Sequence, residues 1–254
     1  MASKPTWADA PFDLIETPSK TMDATSHAAV YCASEMSHAH NVLIRGLNSI
    51  YQQGAFITSP KDISDFLFFC SAWVKTVEHH HQAEEKTLFP ELEKFTGNPH
   101  IMTMNKDQHD EFLGGLTEFE HYAESTRQEQ YDWTEAKAQL DGFAPALIRH
   151  LREEIGTLLS LKEYNSAKLR EVWQKTEDVA KGDIRLPNMF DVILPMVLGC
   201  ADKTYEGGIH SFPPFPFFFP YLIDYWFIRK NRGAWRFCPC DMHGQPRPLA
   251  FTEC

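Results

Sequence analysis

His80 and Glu84 stand four residues apart, and so do His150 and Glu154. Each pair falls inside a run of apolar residues spaced three or four apart. The first run is Phe66, Phe69, Trp73, Val77, His80, Glu84, Leu88; the second is Leu140, Phe143, Leu147, His150, Glu154, Leu158, Leu161. Two further runs carry one histidine each: Ala33, Met36, His40, Leu43, Leu47, Ile50, and Met102, Asn105, His109, Phe112, Leu116, Phe119. Such spacing marks one face of an α-helix, the face that goes to the core. A carboxylate in an apolar core is costly unless it is paired or binds metal, and neither glutamate-bearing stripe offers a Lys or Arg. Four imidazoles and two carboxylates suit a pair of iron ions, which Glu84 and Glu154 are able to bridge, whereas structural zinc prefers thiolate-rich sets.

Taken singly, His40 or His109 reads as a hydrogen-bonded core histidine, and either His/Glu pair as a surface ion pair. Their joint placement on four inward stripes is what points to a metal centre. The stripes fix helix phase only to within one residue. His38 in place of His40, and His81 with Glu85 in place of His80 with Glu84, therefore stay open. Other carboxylate-bridged di-iron bundles use Glu-x-x-His pairs. Glu35/His38, Glu78/His81 and Glu118/His121 have that spacing, but they lie about one position off the stripes, and the last helix has no such pair.

These side chains require four helices to hold them. The first is expected from about Thr25 to Gln52. Ser59-Pro60 supplies an N-cap and first-turn pair for a second, from about Lys61 to Phe95, which Pro90 is expected to kink or end. Asn98-Pro99 gives a similar start for a third, to about Ser125. Asp132 followed by Glu135 opens a fourth, to about Tyr164, with a further segment to about Lys181. Short connections and almost no strand pattern predict an all-α, antiparallel four-helix bundle. The expected organisation is an N-terminal arm (1–22), the bundle (23–181) and a C-terminal extension packed on it (182–254). Gly182 and Pro187 break the helical pattern, and composition then shifts to Pro, Phe, Trp and Cys. The extension is expected to be mostly irregular, with short helices near Val192–Ala201 and Tyr221–Lys230.

A net charge of −11 argues against nucleic-acid binding, which depends on neutralising phosphates, and no basic run suggests an anionic membrane. Residues Met1–Leu14 lack the apolar region of a secretory signal. The Phe212–Phe227 stretch, broken by four prolines, is too short and interrupted to span a bilayer. Six scattered cysteines do not form a disulfide framework, and a cytoplasmic location is expected.

The stretch His79-His80-His81-Gln82-Ala83-Glu84-Glu85-Lys86-Thr87-Leu88-Phe89-Pro90 resembles the HHxxEExxLFP signature of the hemerythrin-like, or HHE cation-binding, family. His150-Leu151-Arg152-Glu153-Glu154 resembles its repeat on the last helix. His38-Ala39-His40-Asn41, with Ile44-Arg45-Gly46-Leu47-Asn48, looks like the opening helix of fungal members. The resemblance covers about residues 25–165. It implies a hemerythrin-like bundle and carries the ligand roles to His40, His80, Glu84, His109, His150 and Glu154. Oxygen-carrying hemerythrins have a second histidine four residues after the helix-three ligand, where this chain has Leu113, and they end on His-x-x-x-x-Asp rather than His150-x-x-x-Glu154. One ligand fewer implies an open position, and an open position favours activating a substrate or O₂ over carrying it.

The expectation is therefore a non-haem di-iron protein that takes O₂ as ligand or co-substrate, an oxidase or oxygenase acting on a small apolar organic molecule. The alternatives are a non-catalytic O₂, nitric oxide or iron-binding protein, and a peroxide scavenger. The strip Ser211–Pro220 is expected either to wrap the bundle or to wall a substrate pocket beside the iron. Cys238, Cys240 and His243 are soft donors for zinc only if Cys200 or Cys254 joins them.

Overall fold

The computed structural model describes residues 7–182, 188–208 and 212–253. Four long helices make the bundle. They are α1 (Ala28–Gln53), α2 (Pro60–Ala83), α4 (Thr103–Ser125) and α5 (Trp133–Ser160). A π-helical turn, Glu84–Leu88, joins α2 to α3 (Phe89–Thr96). After α5 come α6 (Ser166–Gly182), α7 (Leu194–Cys200) and α8 (Phe219–Leu222). Among the described residues there is no strand, only an isolated bridge between Cys240 and Pro246. No helix is long and apolar enough to cross a membrane among those residues.

The helix starts follow local chemistry. The Ser59 hydroxyl accepts from the Asp62 N–H, and Pro60 takes the first turn. Asp132 caps α5 by accepting from the Thr134 N–H. His27 caps α1 through Nδ1, and the helix begins at Ala28, three residues beyond the expected start. Asn98-Pro99 does not open α4. Asn98 instead accepts from the His100 N–H in a local turn, and the helix begins at Thr103. Pro90 neither ends nor breaks its helix, because the widened turn just before it changes the hydrogen-bond register; the Phe89 N–H reaches back to the Glu84 carbonyl. The helix stops at Gly97, which adopts the left-handed conformation.

Helix α1 lies beside α2 and α5, and α4 lies beside the same two, which closes a four-cornered bundle. The stripes meet inside it: Leu43, Leu47, Phe66, Trp73, Leu116 and Leu140 are all fully or almost fully buried. α1 and α2 approach closely at Gly46. A Cβ there would sit 2.5 Å from the Trp73 ring, whose Nε1–H donates to the Leu43 carbonyl at 2.9 Å.

The C-terminal segment docks on α1 and α2. Phe237 packs against Phe66 and Phe69 at ring distances of 5.2 and 5.8 Å. Its carbonyl accepts from Ser49 and Gln53, and the Gln53 oxygen accepts from the N–H groups of Ala250 and Phe251. α7 also rests on α1 and α2. Short helices therefore occur near both expected places. Residues 183–187, where Pro187 was expected to mark the break, and Ser211 at the head of the Phe/Pro strip lie outside the described residues.

α6 packs on α1 and brings Glu177 and Arg170 near Glu35. Burial, then the charge of Glu177, pushes the Glu35 carboxyl up to about 7 despite the attraction of Arg170. Below the ordinary value of 4.5 the carboxyl is protonated in both folded and unfolded chains, so nothing is lost. Between 4.5 and about 7 the unfolded chain ionises while the folded carboxyl keeps its proton, so stability falls across that window and levels off above it. Glu35→Gln is expected to stabilise the fold by about 1–2 kcal/mol at about pH 8 and to change little at about pH 4. Urea unfolding at both pH values checks this.

Candidate metal centre

His40, His80, Glu84, His109, His150 and Glu154 converge in one cluster in the middle of the bundle, and His81 joins them. The donor atoms form two groups, each with all atoms within 4.8 Å of one another: His81, Glu84, His109 and His150, and His40, His80 and Glu84. Glu84 belongs to both. Its Oε1 is 3.0 Å from His80 Nε2 and 4.0 Å from His40 Nε2, while its Oε2 is 3.5 Å from His109 Nε2. Glu154 also reaches both groups, with Oε2 3.3 Å from His40 Nε2 and 3.8 Å from His150 Nε2. Among the described residues, no other cluster of three or more His, Cys, Asp or Glu comes this close; Cys238 and Cys240 are buried but form no such group.

The outward nitrogens fix how the imidazoles are used. His40 Nδ1 lies 2.6 Å from the Leu151 carbonyl, His109 Nδ1 lies 2.7 Å from Glu85 Oε1, and His150 Nδ1 lies 3.3 Å from Gln108 Oε1. All three acceptors take a proton from Nδ1, and Gln108 is itself held by donating to Glu153 at 2.5 Å. The three Nε2 atoms therefore face the cluster as lone pairs, an arrangement typical of metal-binding histidines. Nε2 atoms also confront each other at 3.0 Å, His40 against His80 and His109 against His150. Two lone pairs at that distance repel unless a cation or proton lies between them.

The buried oxygens point the same way. Both carboxylate oxygens of Glu84 and of Glu154, and Nε2 of His81, are shut off from solvent without an aligned hydrogen bond. Such groups cost free energy unless something satisfies them. Without metal the cluster shares out its protons. Burial disfavours charge on His40, but contact with Glu154 and Glu84 outweighs it and raises His40 to about 9. Burial lowers His150 to about 2 and pushes His81 well down. Burial also opposes ionisation of Glu84, yet the surrounding histidines hold it well below the ordinary carboxylate range; burial and the charge of Glu84 then raise Glu154. The donor set of five imidazoles and two carboxylates therefore fits a pair of borderline divalent or trivalent ions, and iron suits it.

The structure places each of the alternatives left open by helix phase. His40 lies in the cluster, while His38 stacks on Phe212 outside it. Glu84 lies inside, and Glu85 is a half-exposed support for His109. His80 and His81 both lie among the clustered side chains, in different donor groups. Leu113, which marks the expected open position, is 47% exposed. The His81 ring packs 4.5 Å from His109 and 5.1 Å from His150. The π-helical turn begins at Glu84, whose N–H is shared between the His80 and His81 carbonyls, so the widened turn starts at the shared carboxylate itself. The adjacent His80-His81 pair was the sequence signal for the seventh donor; a stripe at strict helical spacing admits only one of the two.

Of the Glu-x-x-His pairs, only His81 enters the cluster, and its partner Glu78 lies instead near Lys75 and Glu120. Glu118 and His121 are exposed, and Glu35 belongs to the α1–α6 contact. Within the Phe/Pro strip, Phe217 is 86% exposed and Phe212 stacks on His38.

Residues 33–161 match the family model described as the hemerythrin HHE cation binding domain. A protein of Cryptosporiopsis sp. (strain 8999), named dimeric xanthone biosynthesis cluster protein R11, is 45% identical over 247 residues, spanning 96% of this chain and 93% of its own. No solved structure matches the chain.

Proposed function

Since the chain belongs to the hemerythrin HHE cation-binding family, we propose that it holds two iron ions in the seven-residue cluster and binds and activates O₂ to oxidise a small, mostly apolar aromatic compound. The observation that carries this reading is the set of inward Nε2 lone pairs facing two carboxylates with no other partner. His40, His80 and Glu154 would serve one ion, His81, His109 and His150 the other, with Glu84 reaching both. When bound, the iron pair supplies redox chemistry towards O₂.

The protein's own groups do the rest. Phe89 stacks on His109 at 5.6 Å and Phe112 packs on His150 at 5.7 Å, keeping water from that half of the site. Glu85 accepts from His109 Nδ1 and, being half exposed, can pass a proton between that imidazole and solvent. His80, with 19% of its side chain exposed, is the most open of the seven, so the substrate approaches on its edge. The substrate class is supported by the relative's name, and that alignment takes in the C-terminal segment as well as the bundle. Oxygen uptake by the iron-loaded protein, followed with phenolic xanthone-type compounds, tests the reading. Uptake matched by an oxidised product supports it; no product with any such compound contradicts it.

A second reading, reversible binding of O₂ or nitric oxide, is favoured by His81. It restores the donor whose absence would have left a position open, and the remaining six donors are almost completely buried. A reversible spectral change with no product would select this reading.

A further inference from the structure

The helical segment made by α8 and the following π-turn, Ile223–Phe227, is apolar on two faces. Its inner face is accounted for. Phe219, Ile223 and Phe227 recur every four residues; the first two are buried, and Phe190 stacks on Phe227 at 4.7 Å. Its outer face carries Phe217, Phe218, Tyr221, Leu222, Tyr225 and Trp226, all exposed, with Trp226 at 64%. On a solvated helix that face would be polar. Contiguous exposed aromatics mark a surface that is covered in use.

The charge beside the patch says by what. Arg229, Lys230 and Arg232 follow immediately and are exposed, in a chain whose net charge is −11. The Arg229 guanidinium lies 4.5 Å over the Tyr225 ring, so one cation is fixed at the edge of the aromatic surface. Two acids lie nearby: Asp224 meets His243 at 3.3 Å, and Asp191 meets Lys230 at 3.5 Å. Arg229 and Arg232 remain to act outward. Tyr, Trp and Phe beside Arg and Lys is the composition of elements that lie in a bilayer interface, with rings at headgroup depth and cations on anionic lipid.

We propose that this segment docks the protein peripherally on an anionic lipid surface, the outer aromatics entering the interface and Arg229, Lys230 and Arg232 engaging lipid phosphates. The chain-wide acidity conceals so short a cluster, and the four prolines that rule out a spanning helix do not rule out a surface one.

The test is co-sedimentation of the full iron-loaded chain with vesicles of phosphatidylcholine mixed with phosphatidylserine, against vesicles of phosphatidylcholine alone. Binding is expected to the mixed vesicles, and to weaken at about 1 M salt, where the screening length is ~3 Å. Phe217→Ser/Trp226→Ser and, separately, Arg229→Gln/Lys230→Gln/Arg232→Gln are each expected to weaken it about tenfold or more. Unchanged circular dichroism and iron content verify that the variants fold, and Trp226→Ser alone substitutes for the double variant if it does not. Wild-type protein that stays in the supernatant with both vesicles overturns the proposal. So does binding that neither variant weakens. A concentration-dependent dimer that Phe217→Ser/Trp226→Ser dissolves, without any lipid binding, also overturns it and gives the patch to a second copy of the chain.

Discussion

Removing iron with a chelator is expected to lower the melting temperature by about 8–16 °C. A metal present at ~1,000 times its dissociation constant stabilises the native state by ~4 kcal/mol, and each kcal/mol moves the midpoint of a chain this size by roughly 2–4 °C. The effect should be large because the metal-free cluster is poorly satisfied. Four carboxylate oxygens and one imidazole nitrogen are buried there without an aligned hydrogen bond, and two pairs of Nε2 atoms face each other at 3.0 Å. Glu84→Ala removes the carboxylate common to both donor groups. Its melting temperature should then hardly differ with and without chelator. Differential scanning calorimetry of wild type and variant, each with and without iron, checks both statements. A wild-type midpoint that ignores the chelator would mean that protons, not metal, satisfy the cluster.

His81→Ala is expected to lose more than about a hundredfold in affinity for one of the two ions, because even a residue that only supports a ligand costs 10–100-fold when removed. Leu113→Ala, at the position that family comparison marks, is expected to change nothing, since that side chain faces solvent. Iron titration of the two variants separates the cases. Equal affinity in His81→Ala and wild type would return His81 to the role of a packed core histidine and leave the second group with Glu84, His109 and His150 alone.

The bundle was readable because its stripes are long and regular. Leu43 with Leu47, Phe66 with Trp73, and Leu140 with Leu147 repeat at helical spacing over several turns, and all of them are buried. The cluster of candidate donors was readable for the same reason: a histidine and a glutamate one turn apart, set in an apolar stripe, are conspicuous. What escaped depends on departures from that regularity. His81 sits a full helical step from His80, and a stripe drawn at fixed spacing must leave one of them out. Leu113 reads as a missing ligand because sequence comparison counts positions along one helix, whereas His81 reaches the cluster from another. The start of α4 was misplaced because Asn98 uses its side chain on a local turn, which competes with capping. The exposed aromatic face around Trp226 was invisible because apolar residues at helical spacing read as core whether or not anything covers them.

The metal content of the chain tests the account most directly. Protein purified with iron available is expected to carry close to two iron ions per chain by elemental analysis, one for each of the two donor groups. That content should fall sharply in His80→Ala and His150→Ala, which each take a donor from a different group. No bound iron, or a single zinc insensitive to both substitutions, would contradict it and make the buried histidines structural.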